Sequence, residues 1–142
     1  MSLSELLKKG HVERVEPDYK LAGSLLDVAV SDLEAAESNL KAGHPEWAFA
    51  IAYNAMLQSG RALMAFKGYR TMSEAHHVGV VRFCEAVLPE DAKGLVEAFE
   101  RYRKRRHDIV YGEIRETGSN EAARAIENAR KFVERIRGSI KR

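Results

Sequence analysis

The stretch RYRKRRHDIVYG, residues 101–112, gathers residue types that hold phosphate and move protons. Arginine presents a planar, permanently charged fork that matches a phosphate. Histidine exchanges a proton near neutral pH. Tyrosine keeps its proton to about pH 10, which makes it a poor base at pH 7. Five of residues 101–106 are basic, His107 follows them, and Tyr111 stands behind Ile109 and Val110. Three readings fit: a solvated helix face, a polyanion-binding stripe, or the remains of a nuclease site.

Other candidate chemistry is sparser. Glu74 and His77 form a Glu-x-x-His pair, which puts both side chains on one helix face. A di-iron bundle needs two such pairs and further carboxylates, and no other histidine here follows a glutamate by three. His76 and His77 are adjacent, so on a helix they point about 100° apart and share an ion poorly. Capping or surface histidines are the expectation, with no metal. Cys84 falls on an apolar helix phase and reads as a small buried hydrophobe rather than an activated thiolate. The glycines sit at helix ends and form no phosphate loop, so no cofactor is expected.

Helical spacing dominates the chain that must position these groups. Leu21, Leu25, Val28, Ala29, Leu33, Ala36 and Leu40 recur at three- and four-residue steps, and Gly43 stops that helix. Pro45 suits the first turn of the next. That helix carries Ala48, Ile51, Ala52, Ala55, Ser59, Ala62, Leu63 and Phe66 on one face and ends at Lys67-Gly68. Its small residues admit close neighbours, which places it centrally. Ser73 is a candidate N-cap for a helix through Val80, Cys84, Val87 and Leu88. Pro89 precedes a helix with Ala92, Leu95, Phe99, Tyr102 and Ile109. Gly118-Ser119 opens the last, with Ala122, Ile126, Ala129, Val133, Ile136 and Ile140 inward. No segment alternates as a half-buried strand would. The expected fold is all-α: an up-and-down bundle of four long helices plus one shorter helix over residues 17–142, after a loosely ordered N-terminal turn at 1–16.

With 142 residues and a net charge of +2, the chain is one domain whose overall charge implies no polyanion partner. The distribution is uneven, because 101–106 and 130–142 are basic while Asp27, Asp32, Glu34 and Glu37 make an acidic helix face. A single cysteine allows no intrachain disulfide and fits a reducing compartment. No apolar run approaches a membrane span, and MSLSELLKKGHVERVE lacks a signal core. The expected location is the cytoplasm, without membrane contact.

On a helical wheel centred on Arg106, Leu95, Phe99, Tyr102 and Val110 fall within about 40°. Arg101, Lys104 and Arg105 fall well outside. A solvated charge run accounts for those three but not for Arg106, because a cation in an apolar stripe is costly unless paired or at an interface. An inward ion pair and a functional role both remain open for it.

The run DLEAAESNLKAGHPEWAFAIAYNAMLQSGRALMAFKGYR followed by EAHH, with the arginine-rich segment before the last helix, resembles the HEPN superfamily of small helical domains. The resemblance covers nearly the whole chain from about residue 20, with an Ala-Tyr-x-Ala signature at Ala52 to Ala55. It implies a homodimer whose two protomers bring their motifs into one cleft. Active members carry Arg-x(4–6)-His and are metal-independent RNases. Two registers fit. In the first, Arg106 opens the motif, Ile109-Val110 is its apolar pair, and Tyr111 stands where the histidine would be. In the second, Arg101 pairs with His107. The first keeps the apolar pair and uses the inward arginine, but puts a phenol in place of the base. It implies a non-catalytic member beside a nucleotidyltransferase, binding RNA or nucleotide phosphate through Arg103, Lys104, Arg105 and Arg106. The alternatives are a toxin-like endoribonuclease using Arg101 or Arg106 with His107, and a structural dimer without ligand.

Overall fold

The computed structural model describes residues 1–72, 76–110 and 117–140. The chain is an all-α bundle with a short two-stranded ribbon. Its elements are α1 (Leu3–Lys8), β1 (Val12–Arg14), α2 (Tyr19–Lys41), α3 (Pro45–Lys67), β2 (Tyr69–Thr71), α4 (His76–Val87), α5 (Lys93–Val110) and α6 (Ser119–Ile140), with a 3-10 turn at Glu90–Ala92 before α5. The four long helices and the shorter α4 are those the periodicity predicts. Ser73, the candidate cap of α4, lies outside the described residues, as do Glu74 and Tyr111.

Small side chains explain the centre. Helix α3 buries Ala48, Ala52, Ala55, Ser59, Gly60 and Ala62 together with Phe49, Tyr53, Met56 and Leu63, and it packs against α2, α4, α5 and α6. At Gly60 the approach is close enough to exclude a side chain, since a Cβ would stand 2.6 Å from Val80 Cγ1 of α4. Three aromatic contacts tie α5 to this helix and to α6: Tyr53 to Phe99, Phe99 to Phe132, and Phe49 to Tyr102, with centroids 5.8, 5.2 and 5.2 Å apart. Asn128 of α6 donates to the Tyr102 hydroxyl at 2.7 Å.

The N-terminal sixteen residues differ from the loose turn expected. Ser2 and Glu5 form a reciprocal capping box that starts α1. Leu6 and Val12 then insert fully into the core. The ribbon is also new, because a three-residue strand is too short to show alternation. β1 and β2 pair antiparallel, Glu13 opposite Arg70, and Arg70 Nε donates to Glu13 Oε1 at 2.7 Å. Gly68 makes the turn from α3 into β2 possible. Its φ of +86° is left-handed, and a Cβ would lie 2.7 Å from the Val15 carbonyl oxygen.

On α2 the buried stripe runs through Ala22, Ala29, Leu33 and Ala36. Leu21 and Val28, expected inward, are 44% exposed. A 23-residue helix drifts relative to a repeating three-four pattern, and two alanines at the close contact take the inward positions instead.

Candidate anion-binding site

Tyr53 and His77 form the centre of the site. Tyr53 is buried in α3, and its hydroxyl lies 2.9 Å from His77 Nδ1 at the start of α4. Either the phenol donates to an unprotonated Nδ1 or the Nδ1–H donates to the phenol oxygen. The ribbon holds that end of α4 in place. Thr71 Oγ1 is 2.9 Å from His76 Nδ1, and a Cβ on Gly79 would stand 2.8 Å from the Thr71 methyl.

Cations from three helices surround this pair. Burial lowers the His77 pKa, and the charges of Arg106 and Arg103 on α5, His76 beside it and Arg61 on α3 lower it further. Burial raises the Tyr53 pKa, against the opposing pull of Arg103 and Arg106. At neutral pH both are therefore uncharged and the arginines supply the positive field. Arg103 Nε donates to Glu100 Oε1 at 2.7 Å, and Arg82 of α4 donates to Glu100 Oε2 at 2.9 Å. Burial pushes Glu100 up, but those two hydrogen bonds outweigh it and hold the carboxyl below its ordinary range. Arg61 donates to Gln58 at 3.0 Å. Arg106 is half-buried and makes no ion pair among the described residues. A half-open cavity of about 360 Å³ lies beside Arg61 and Thr71, with Leu21, Leu25 and Met64 on its apolar wall.

The other basic residues of the run divide. Arg101 is exposed, its guanidinium 5.9 Å from the Tyr102 ring centroid, and Lys104 is exposed as well. Arg105 turns to α6 and pairs with Glu121, Nε to Oε2 at 3.0 Å. His107 is exposed on α5, which runs unbroken to Val110. On such a helix Arg101 and His107 are about 120° apart around the axis and about 9 Å apart along it.

His77 is half-buried and bonded to Tyr53, not the capping or surface histidine that its neighbours in sequence suggest. Its partner is 24 residues away on another helix, so no local spacing reveals it. Tyr53 and Arg61 are equally invisible as site residues, the first reading as core and the second as a solvated position. Cys84 is buried, which pushes its thiol up to about 12 and leaves it unreactive. Among the described residues no group of three or more histidine, cysteine, aspartate or glutamate side chains is placed to hold a metal ion. No helix among them is long and apolar enough to cross a membrane.

Comparison with known proteins agrees with this architecture. The family model of the HEPN domain matches residues 22–139. No curated protein sequence matches. The crystal structure of TT1696 from Thermus thermophilus superposes with a TM-score of 0.66 at 24% identity, over 82% of this chain and 96% of that one. At that identity the likeness concerns the fold.

Proposed function

The chain belongs to the HEPN domain family, and from that premise we propose that it is a dimeric phosphate-binding module. It holds RNA or a nucleotide through Arg106, with Arg61, Arg103 and His77 beside it, and works alongside a nucleotidyltransferase. The observation that supports this most is Arg106 itself. Its charge acts on both Tyr53 and His77, yet no carboxylate among the described residues neutralises it. A half-buried cation without a counterion is costly in a domain that only needs to fold. It is useful where a phosphate supplies the missing charge. Arg105, by contrast, is held by Glu121, so its part in phosphate binding is secondary. Leu21, Val28 and Trp47 leave apolar surface on α2 and α3, consistent with a second copy covering it.

Anisotropy of a labelled single-stranded RNA across a salt series tests the module. Arg106→Ala should weaken binding and flatten the log-log salt slope by roughly 0.7, the contribution of one single-strand phosphate contact. An unchanged slope would return Arg106 to a structural role. Sedimentation should show a dimer at micromolar concentration, and monomer alone would remove the dimeric part of the reading.

A further inference from the structure

The ligand's phosphate can be specified further by counting charge around His77, an inference that rests on the anion-site reading above. Arg61, Arg103 and Arg106 bring three positive charges whose fields reach the imidazole. Glu100 returns one negative charge and divides it between Arg103 and Arg82. The excess is at least two. An internal phosphodiester carries a single charge on two free oxygens. A phosphate monoester carries about −1.5 to −2 at pH 7 and three acceptor oxygens. Donors from three helices, with His77 Nε2 left over once Nδ1 is committed to Tyr53, match three oxygens better than two.

We propose that the Tyr53–His77 pair and the three arginines around it form a site for a phosphate monoester, the end group of a nucleotide or of a 5′-phosphorylated RNA, and that His77 takes up a proton as that group binds. In the free protein the imidazole is neutral, because burial and Arg106, Arg103, His76 and Arg61 all oppose its charge. A dianion among those arginines reverses the field at the ring and favours the imidazolium. The proton comes from solvent, and no covalent bond of the ligand changes. Nδ1–H of the charged ring then donates to the Tyr53 oxygen, and Nε2–H donates to the phosphate. Tyr53 stays protonated throughout, since burial holds its pKa up. Tyr53 and His77 are thus binding residues, and Thr71 positions them through its 2.9 Å contact with His76.

Calorimetry at pH 7 tests this with three probes: a short oligouridylate with a 5′-phosphate, the same oligomer with a 5′-hydroxyl, and AMP. Each is titrated in two buffers of different ionisation enthalpy, so that the proton count follows from the difference. The 5′-phosphorylated oligomer should bind about tenfold tighter than the hydroxyl form, the value of roughly one further charge-assisted hydrogen bond. Its binding should take up a measurable fraction of a proton, and the hydroxyl form should take up none. AMP binding as tightly as the phosphorylated oligomer would make the end group alone the ligand, whereas weaker AMP binding would make it an RNA end; either is consistent with the site. In His77→Gln, which keeps a hydrogen-bonding group for Tyr53, the preference should shrink to about threefold or less and the buffer dependence should vanish, consistent with removing the proton acceptor. Equal, salt-dependent binding of both oligomers without proton uptake would overturn the monoester assignment and leave the anion site standing. Binding of none of the probes would overturn both. The buffer comparison on the unsubstituted protein needs no variant, so a misfolded His77→Gln would not shield the proposal.

Discussion

Replacing Arg61 and Arg106 together by alanine is expected to weaken single-stranded RNA binding by about 100-fold, against about threefold or less for Arg101 and Lys104 together. Both double variants remove two positive charges, so long-range attraction falls equally in each. They differ in what the charges face. Arg101 and Lys104 are exposed on the outer side of α5, where phosphate contacts trade against water. Arg61 and Arg106 act on the same half-buried histidine from two helices, where a hydrogen bond between charged partners is worth about 1.5–3 kcal/mol and two give roughly 100-fold or more. The salt slope should fall by a similar amount in both, while affinity at a fixed salt concentration separates them. Equal losses would mean that the protein binds polyanions by diffuse charge and that the Tyr53–His77 centre plays no part.

The second large effect is on stability. Phe99→Ala should cost about 3–5 kcal/mol in urea unfolding, within the range for deleting a fully buried ring. Phe99 is 0% exposed and stacks between Tyr53 of α3 and Phe132 of α6. Domains of this size are stable by about 5–15 kcal/mol, so the variant should remain folded only in part or with a much lower midpoint. Phe99 also fixes the rotation of α5, one and two turns before Arg103 and Arg106. The folded fraction should therefore bind RNA more weakly than the unsubstituted protein, since a looser helix presents its guanidinium groups less well. A loss below about 1 kcal/mol would mean that the core repacks around the gap and that α5 is held by other contacts.

Helix α3 was legible from the sequence because its physics is local. Alanine, serine and glycine on one face can only mean close neighbours, and Gly60 meeting Val80 is the outcome. Arg106 was legible for a similar reason. Its position on the stripe of Phe99 and Tyr102 is a matter of helix phase, and the structure leaves it half-buried. The rest of the site depends on contacts between helices. His77 beside a second histidine gives no hint of Tyr53, and Tyr53 within Ala52–Ala55 looks like another core aromatic. Arg105 and Arg106 are adjacent in sequence, yet one meets Glu121 on α6 and the other faces His77. Only the packing of α5 between its neighbours separates them. The ribbon escaped notice because three residues per strand carry too little pattern, although Thr71 within it steadies the histidines.

The central claim is that anions bind at the Tyr53–His77 centre and not along the outer basic face of α5. Nitrogen-resolved NMR of the five histidines during titration with a single-stranded RNA addresses it most directly. The imidazole of His77 should shift saturably, with His76 moving less, while His11 and His44 on other parts of the fold stay in place. In Arg106→Ala the His77 shift should need a much higher RNA concentration. Saturable shifts confined to His107, with His77 unmoved, would contradict the account and place the RNA on the outer face of the helix.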